Sequence, residues 1–300
     1  MEAQDTAPPC VNFGGAMIDR AYVEIGNICN LNCSFCPKTA REPRRMTTSE
    51  FKTVCERLAG RVKNLFFHVM GEPLFHPELD SFLKISEEFG FPVSITTNGV
   101  LIPERGHIIL ENAKAVHRVS ISLHSIEGNG GDISGGGYLE RAVEFAKKLA
   151  ALDVNAVFRL WNLDTEERCG SNSQNESIED VLRRHYPEPW EKRYAGYRMA
   201  YRTFLEYDGI FTWPSESKSE ERCSGTCHGL LRQIAILADG TVVPCCLDSE
   251  GMMPLGNIFS QSLENIMESK LASEMRSGFR EGRLVHPLCQ KCSYSLRFKK

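Results

Sequence analysis

The chain of 300 residues carries a formal net charge of −4, and 42% of its residues are hydrophobic, which is enough to bury the core of one large domain or two smaller ones. This balance excludes the global basic field that attracts nucleic acid. The first twenty residues lack the apolar core of a signal peptide, and no apolar run approaches the ~20 residues that span a bilayer. The 12 cysteines therefore indicate metal binding in a cytoplasmic protein rather than disulfides.

From residue 21 onward, short β-branched runs alternate with amphipathic helical stretches, which is typical of βα units and a parallel sheet. Strands are predicted at residues 21–25, 65–69, 93–96, 116–122 and 156–160. Helices are predicted between them, at about 48–59, 77–89, 103–113 and 138–152. The fold class is α/β, and the pattern favours a partial (β/α)6 TIM-like barrel that is open on one side.

The pattern changes after the fifth strand. Residues 164–180 are predicted to form a polar loop with a short helix. Residues 181–202 are basic and aromatic; such a segment can stack bases and contact phosphates, but we predict an amphipathic helix that packs its tyrosines on the barrel. Asp239 and Gly240 between two apolar runs predict a β-hairpin at residues 233–243. We therefore expect an irregular segment at 1–20, the barrel at 21–205, a linker at 206–222 and a small α+β domain at 223–300.

Three cysteines, Cys29, Cys33 and Cys36, follow the first predicted strand, with Phe35 directly before the last of them. Thiolates are soft ligands that select zinc or iron–sulfur clusters. Structural zinc takes four protein ligands, whereas a 4Fe–4S cluster can use three cysteines and leave one iron open. The spacing resembles the radical S-adenosylmethionine (SAM) superfamily. That resemblance implies that SAM binds the open iron and that an electron, from a donor such as flavodoxin or ferredoxin, cleaves it to a 5′-deoxyadenosyl radical.

Further segments resemble the SAM-binding motifs of that family, each at the carboxyl end of a predicted strand, where such barrels place their chemistry. Gly71, Glu72 and Pro73 resemble the Gly-Gly-Glu-Pro motif that receives the amino group of SAM, although Met70 replaces the first glycine. The segment 96–99, which contains Thr97 and Asn98, resembles the motif that faces the ribose and the methionine moiety.

Ser122 resembles the serine that contacts the carboxylate of SAM. Many relatives add an arginine in the loop that follows, but the loop at 131–136 has none. Arg159 on the next predicted strand is our substitute candidate for this contact. Taken one at a time, these motifs are ordinary turns or structural residues, and their order and spacing after the three-cysteine loop support them together.

A second set of cysteines lies in the last eighty residues and consists of Cys227, Cys245, Cys289 and Cys292. Their spacing resembles the SPASM/Twitch domain, an auxiliary-cluster extension of some radical SAM enzymes. Because no cysteine follows Cys292, the resemblance is to the shorter Twitch form, which implies one fully ligated 4Fe–4S cluster and two clusters in all. The alternative is a structural zinc site with four thiolate ligands.

Cys246 adjoins a proposed ligand and is a candidate catalytic residue, because a thiol there could donate a hydrogen atom to a substrate radical, as radical SAM epimerases require. The alternative is a packing role. Cys223 could replace Cys227 as a ligand. Cys55 lies on the apolar face of a predicted helix and is expected to be inert core.

These patterns together predict an enzyme that cleaves SAM reductively and abstracts hydrogen from a small metabolite or carbohydrate. Oxidation would follow if a base takes a proton and the auxiliary cluster takes an electron, as in the aminoglycoside-pathway dehydrogenases that this layout resembles. Epimerisation would follow if Cys246 returns a hydrogen atom. Modification of a ribosomal peptide or an RNA is one alternative, and a non-catalytic metal-binding interaction protein is another.

Overall fold

The computed structural model describes residues 17–131, 137–162, 174–209, 213–214 and 221–298. Its strands are β1 (Ile18–Val23), β2 (Val62–Phe67), β3 (Val93–Thr97), β4 (Val116–Ser122), β5 (Asn155–Asn162), β6 (Glu191–Arg193), β7 (Gly196–Ala200), β8 (Thr203–Gly209), β9 (Gln233–Ile236), β10 (Thr241–Val243) and β11 (Gly256–Asn257). Its α-helices are α1 (Thr48–Leu58), α2 (Leu79–Glu88), α3 (Ile102–Glu111), α4 (His124–Glu127), α5 (Tyr138–Ala151), α6 (Asn175–His185), α7 (Leu263–Met267), α8 (Lys270–Glu281) and α9 (Pro287–Lys291). Short 3-10 helices cover Pro73–Phe75 and Ser293–Phe298. Across the described segments, no helix combines the length and the apolar character that crossing a membrane requires.

These strands form one sheet in the order β11-β10-β9-β1-β2-β3-β4-β5-β8-β7-β6. Its middle is a run of parallel strands, β1 to β5 followed by β8. The sheet does not close on itself, because the antiparallel ribbon β6–β7 lies at one edge and β9 to β11 lie at the other. The α/β class and the open partial (β/α)6 barrel are therefore confirmed.

The first helix shows how the sequence forms these elements. Thr47 accepts a hydrogen bond from the backbone of Glu50, and the Glu50 side chain accepts one from the backbone of Thr47, so both ends of this capping box are satisfied. The buried face of α1 consists of Phe51, Val54, Cys55 and Leu58. Cys55 thus belongs to the core, as predicted, and burial raises its pKa to about 12.

The second strand shows where the site lies relative to the core. Side chains alternate between the two faces of a strand. Leu65 and Phe67 are fully buried, and Phe67 packs edge-on against Phe51 of α1, with ring centroids 5.5 Å apart. On the opposite, concave face, Phe66 and His68 line a cavity. The helices therefore cover the apolar face of the sheet, and the concave face carries the polar chemistry.

The predicted amphipathic helix at 181–202 is wrong. Helix α6 ends at His185, and the antiparallel ribbon β6–β7 leads into β8. The ring of Tyr197 packs between those of Trp190 and Tyr207, at 5.8 and 6.4 Å between centroids. The short helix expected within 164–180 is α6, which has 11 residues and starts at Asn175, while residues 163–173 lie outside the described part of the chain.

Two strand boundaries and one strand pairing differ from the prediction. Strand β1 begins at Ile18, inside the segment expected to be irregular, and β8 continues to Gly209, beyond the expected end of the barrel at residue 205. The β9–β10 hairpin forms as predicted, but β9 also pairs in parallel with β1. The hairpin therefore extends the sheet of the barrel, and the division of the chain into domains stays a prediction.

Candidate active site

The loop with three cysteines follows β1 and is held by the segment that follows β4. The backbone N–H of Ser34 donates to the carbonyl of Gly128 at 2.7 Å, and the Asn129 amide donates to Cys33 Sγ at 3.2 Å. Residue 128 has no room for a side chain, because a Cβ there would lie 2.5 Å from the ring of Phe35. The thiols that line the cavity from this loop are those of Cys29, Cys33 and Cys36.

A strained turn brings the next motif beside this loop. Gly71 has a φ of +78°, and a Cβ there would lie 2.2 Å from the carbonyl oxygen of Gly26, so only glycine fits. Val69 has a φ of 149°, which is unfavourable for a β-branched residue. Gly71 and Glu72 line the cavity, whereas Pro73 is buried at the start of a 3-10 helix.

The carboxylate of Glu72 joins this motif to the next strand. It accepts hydrogen bonds from the Thr97 hydroxyl at 2.7 Å, from the Asn98 backbone at 2.7 Å and from the Leu74 backbone at 3.0 Å. Burial raises the pKa of Glu72 to about 7, although these bonds oppose the rise. Asn98 in turn donates to Asn30 of the cysteine loop at 2.8 Å. The carboxylate therefore positions two predicted SAM-contacting residues and, through them, the loop.

The two residues predicted at the SAM carboxylate come together. Ser122 and Arg159 are partners in the register of β4 and β5, and both line the cavity. The Arg159 guanidinium lies over the Trp161 ring, 5.9 Å from its centroid. A hydroxyl beside a guanidinium can bind a carboxylate. The neighbouring loop that lacks an arginine lies outside the described residues over 132–136.

An aromatic group that the sequence analysis missed lies at the same end of the cavity. His124 stacks on Trp161 with centroids 4.7 Å apart, and Phe35 lies 5.0 and 5.4 Å from these two rings. Burial lowers the pKa of His124 to about 3, so its ring is neutral. The missed signals were the position of His124 two residues after Ser122 and the alternation along β5, which puts Trp161 on the same face as Arg159.

The second set of cysteines comes from three places in the chain. Cys227 precedes β9, Cys245 follows β10, and Cys289 and Cys292 lie on and directly after α9. Burial raises the pKa of Cys245 well above its usual value, and four neighbouring thiols, those of Cys227, Cys246, Cys289 and Cys292, raise it further. Metal binding must therefore displace protons from the proposed ligand thiols. Cys223, the alternative ligand, is exposed and does not line the cavity.

Both sets of cysteines face one cavity of about 850 Å³. This volume lies within the range of a single ligand pocket. Within the described ranges, no three His, Cys, Asp or Glu side chains converge on a single metal ion. A 4Fe–4S cluster binds each thiolate through a different iron, so its ligands need not converge on one point. Soft thiols in two sets are the donors that iron–sulfur clusters require.

Cys246 and Tyr22 both line the same cavity. Burial raises the pKa of Cys246 to about 12, so it is a protonated thiol at neutral pH. Tyr22, Cys246 and Cys36 all pack against one apolar cluster, which consists of Val69, Met70, Ala235, Leu237 and Val243. Cys246 therefore lies between the two sets of cysteines, with a hydrogen atom on its sulfur.

Family models match both regions of the chain. That of the radical SAM superfamily matches residues 23–169, and that of an iron–sulfur cluster-binding domain matches residues 227–293. The chain belongs to the radical SAM superfamily. The two matched regions include both sets of cysteines, and the second match names an iron–sulfur cluster rather than the zinc alternative. The cofactors of this radical SAM enzyme are SAM and 4Fe–4S clusters, and the assignment of particular cysteines to each cluster stays a proposal.

Relatives of this radical SAM enzyme cover most of its length. It is 24% identical over 283 residues to S-adenosyl-L-methionine-dependent 2-deoxy-scyllo-inosamine dehydrogenase of Niallia circulans, across 90% of this chain and 91% of that protein. It is 24% identical over 297 residues to the antilisterial bacteriocin subtilosin biosynthesis protein AlbA of Bacillus subtilis (strain 168), across 92% of this chain and 65% of that protein. The structure of BtrN in complex with AdoMet and 2-DOIA has a TM-score of 0.54 at 18% identity, across 93% of this chain and 94% of that one.

Proposed function

We propose that this radical SAM enzyme oxidises an alcohol carbon of a small metabolite or carbohydrate. The observation that carries the proposal is the single cavity lined by both sets of cysteines. When bound, SAM and its cluster supply the 5′-deoxyadenosyl radical that takes a hydrogen atom, and the auxiliary cluster supplies an electron acceptor. The similarity to a dehydrogenase over nine-tenths of the chain supports oxidation.

In this proposal, the residues of the chain divide into three groups. Cys29, Cys33 and Cys36 hold the SAM-binding cluster, and the auxiliary cluster is held by Cys227, Cys245, Cys289 and Cys292. The backbone at Gly71 and Glu72 receives the amino group of SAM, with Thr97 and Asn98 beside its ribose and methionine moiety. The carboxylate of SAM is held by Ser122 and Arg159, whose side chains line the cavity as register partners.

The size of the cavity argues for a small substrate. About 850 Å³ must accommodate SAM and the exposed faces of two clusters as well as the substrate, and one ordinary ligand alone can fill such a pocket. A peptide that inserts one side chain is the alternative, and it has support from the similarity to AlbA. An RNA substrate has less support, because Arg183 of the basic segment is ion-paired with acidic neighbours, namely Glu179, Asp180 and Glu188.

A second candidate reaction is epimerisation, which is favoured by the position of Cys246. Its protonated thiol lies in the cavity between the two sets of cysteines. Return of its hydrogen atom to a substrate radical would leave the oxidation state of the substrate unchanged. The cytoplasmic location and a flavodoxin or ferredoxin as electron donor remain part of the proposal.

The test uses anaerobically reconstituted enzyme, reduced chemically in the presence of SAM. The first probe is 2-deoxy-scyllo-inosamine deuterated at its carbinol carbons, followed by a panel of deuterated cyclitols and sugars. If the reaction is an oxidation, deuterium should appear in 5′-deoxyadenosine, and one molecule of ketone should form for each molecule of 5′-deoxyadenosine. Epimerisation predicts an inverted alcohol that gains solvent hydrogen, and Cys246→Ala should prevent that gain. Failure of the wild-type protein to cleave SAM would contradict both reactions.

A further inference from the structure

His68 has a position that none of the roles above explains. It follows the last residue of β2 and lies three residues before Gly71 in the proposed SAM motif. Because it shares the concave face with Phe66, its imidazole lines the cavity that both sets of cysteines line. Its ring lies beside that of Tyr22 on β1, with centroids 6.2 Å apart.

The imidazole of half-buried His68 differs from those of the buried histidines His76 and His124. His76 Nδ1 accepts a hydrogen bond from the Glu78 backbone at 3.1 Å, and His124 Nδ1 lies 3.3 Å from the Arg159 carbonyl oxygen. Among the described residues, no hydrogen bond engages either ring nitrogen of His68. Burial and the nearby charge of Arg159 lower the pKa of His68 to about 4. At neutral pH, the ring therefore presents an unprotonated nitrogen to the cavity.

The carboxylates that line this cavity in the described residues are already engaged. Glu72 accepts three hydrogen bonds, and Glu206 is ion-paired with Arg118 at 2.6 Å. The remaining two follow the same pattern: Asp208 is ion-paired with Arg297 at 2.8 Å, and Asp248 accepts from two backbone N–H groups at 2.8 Å. Each would have to give up these bonds before it could accept a proton from a substrate.

Other histidines that line the cavity are less suited to this role. His228 adjoins the proposed ligand Cys227, and its ring packs against Phe298 at 4.2 Å between centroids. His117 is exposed. His124 is stacked on Trp161 with one nitrogen near a carbonyl oxygen. His68 is thus the basic group in the described cavity lining that combines partial burial with an unengaged ring nitrogen.

We propose that His68 is the catalytic base that takes the hydroxyl proton of the substrate alcohol. The role rests on the proposed oxidation. The substrate loses a hydrogen atom from carbon to the 5′-deoxyadenosyl radical, its hydroxyl proton to His68 and one electron to an oxidised iron–sulfur cluster, which leaves a ketone. A hydroxyl on a radical carbon is far more acidic than that of an alcohol, which lessens the basicity that the imidazole must supply.

The first experiment compares wild type, His68→Gln and the control His107→Gln, which changes an exposed histidine on α3. The alcohol is the deuterated probe that the wild-type enzyme oxidises. His68→Gln should still transfer deuterium into 5′-deoxyadenosine, because hydrogen abstraction does not need the base. Ketone per 5′-deoxyadenosine should fall at least tenfold, and a substrate radical should accumulate in electron paramagnetic resonance spectra. In His68→Ala, added imidazole should restore part of the ketone, whereas His107→Gln should match wild type.

A second readout does not depend on turnover. The loaded enzyme is treated with diethyl pyrocarbonate, which acylates neutral and accessible imidazoles, and the modified histidines are mapped by mass spectrometry. His68 should react as exposed His107 does, whereas His76, which is buried outside the cavity, should not. Absence of modification at His68 while His107 reacts would refute an accessible base.

The two proposals fail in different ways. A wild-type ratio of ketone to 5′-deoxyadenosine in His68→Gln would overturn the base role and leave the oxidation intact. SAM cleavage by the wild-type enzyme without ketone from any probe would overturn the oxidation, and the base role with it.

Discussion

Gly71 is the position at which backbone geometry constrains the SAM motif most tightly. Gly71→Ala must place a methyl group 2.2 Å from a carbonyl oxygen at a φ of +78°. Gly60→Ala is the matched control, because Gly60 has a φ of +72° with no atom within 4 Å of the added Cβ. We expect a loss of about 1 kcal/mol in unfolding free energy for the control and of about 3 kcal/mol or more for Gly71→Ala. SAM binding, measured by calorimetry, should be lost only in Gly71→Ala, and equal effects would contradict the close approach.

Glu72 makes a prediction about pH. Its pKa is raised to about 7 in the folded protein from an ordinary 4.5, so the folded state binds the proton more tightly than the unfolded state does. Stability from this group is therefore present at low pH and is lost as the pH rises from about 4.5 to 7. Thermal unfolding of the loaded enzyme at pH 5 to 8 should show wild type losing up to about 3 kcal/mol relative to Glu72→Gln. If the stabilities of wild type and Glu72→Gln change in parallel between pH 5 and pH 8, Glu72 is ionised over that whole range.

For single residues, the sequence identified the site residues better than it identified the side chains and backbone groups that they contact. Cys29 and Ser122 could be selected from their resemblance to family motifs, and Arg159 as a substitute on the next strand, and the structure brings them to one cavity. The hydrogen bonds of Glu72 and the exposure of the His68 ring depend on which strands are neighbours. Motif spacing carries no such information, so His68 was read only as part of an apolar strand.

At the level of secondary-structure elements, a buried ion pair connects the cysteine loop to the turn after β10. Arg41, five residues after Cys36, donates to Glu24 at 2.7 Å and to the carbonyl of Ser249 at 2.8 Å. Glu24 also accepts from the backbone of Ala238 at 3.1 Å. Both fastened segments carry proposed cluster ligands, so this contact fixes the spacing of the two sites.

Arg41→Gln should therefore be strongly destabilising. The side chain of Glu24 has no exposed surface, and removal of its partner leaves a buried charge uncompensated, at a cost of about 3 kcal/mol. Arg283→Gln is the control, because its pair with Glu281 is 60% and 52% exposed and contributes less than about 1 kcal/mol. Thermal unfolding of both variants, loaded with clusters, measures the loss of stability. Equal losses in the two variants would show that the Arg41 contact does not stabilise the connection between the two segments.

The ribbon β6–β7 is the element that sequence periodicity misjudged. Arginines and tyrosines that alternate over 181–202 fit the apolar stripe of a helix as well as the two faces of a strand. What decides between them is the neighbour: β7 pairs with β8 at the edge of the sheet, and the sequence does not show that this edge is available. The barrel strands were easier to predict, since each is a short apolar run bounded by turn residues.

At the scale of the whole molecule, the central prediction concerns iron. Anaerobically reconstituted enzyme should hold about eight irons per chain, in two cysteine-ligated clusters. Cys29→Ala/Cys33→Ala/Cys36→Ala should hold about four, with SAM cleavage abolished, and Cys223→Ala should match wild type. Iron and sulfide analysis with Mössbauer spectra checks the numbers. About four irons that fall to none, with zinc present, would instead make the C-terminal site structural and remove the electron acceptor of the proposed oxidation.

The two sets of cysteines could be predicted from the sequence, but their convergence on one cavity could not. Each set of cysteines was recognisable by itself. That they face a single cavity follows from the pairing of β9 with β1, and a contact between the start of the barrel and the last third of the chain leaves no local pattern.

The pairing of β1 with β9 also means that β1 must wait for its partner strand during synthesis. Val23 of β1 pairs with Ile236 of β9, and a ribosome that adds about 5–20 residues per second needs roughly 10–40 s to make the chain between them. For that interval, one edge of β1 has no partner, which is a state prone to aggregation. The Cys29 loop at the end of this strand is meanwhile complete, whereas the C-terminal cysteines do not yet exist. The proposed ligands of the SAM-binding cluster are therefore synthesised before those of the auxiliary cluster, while the nascent sheet is still open beside them.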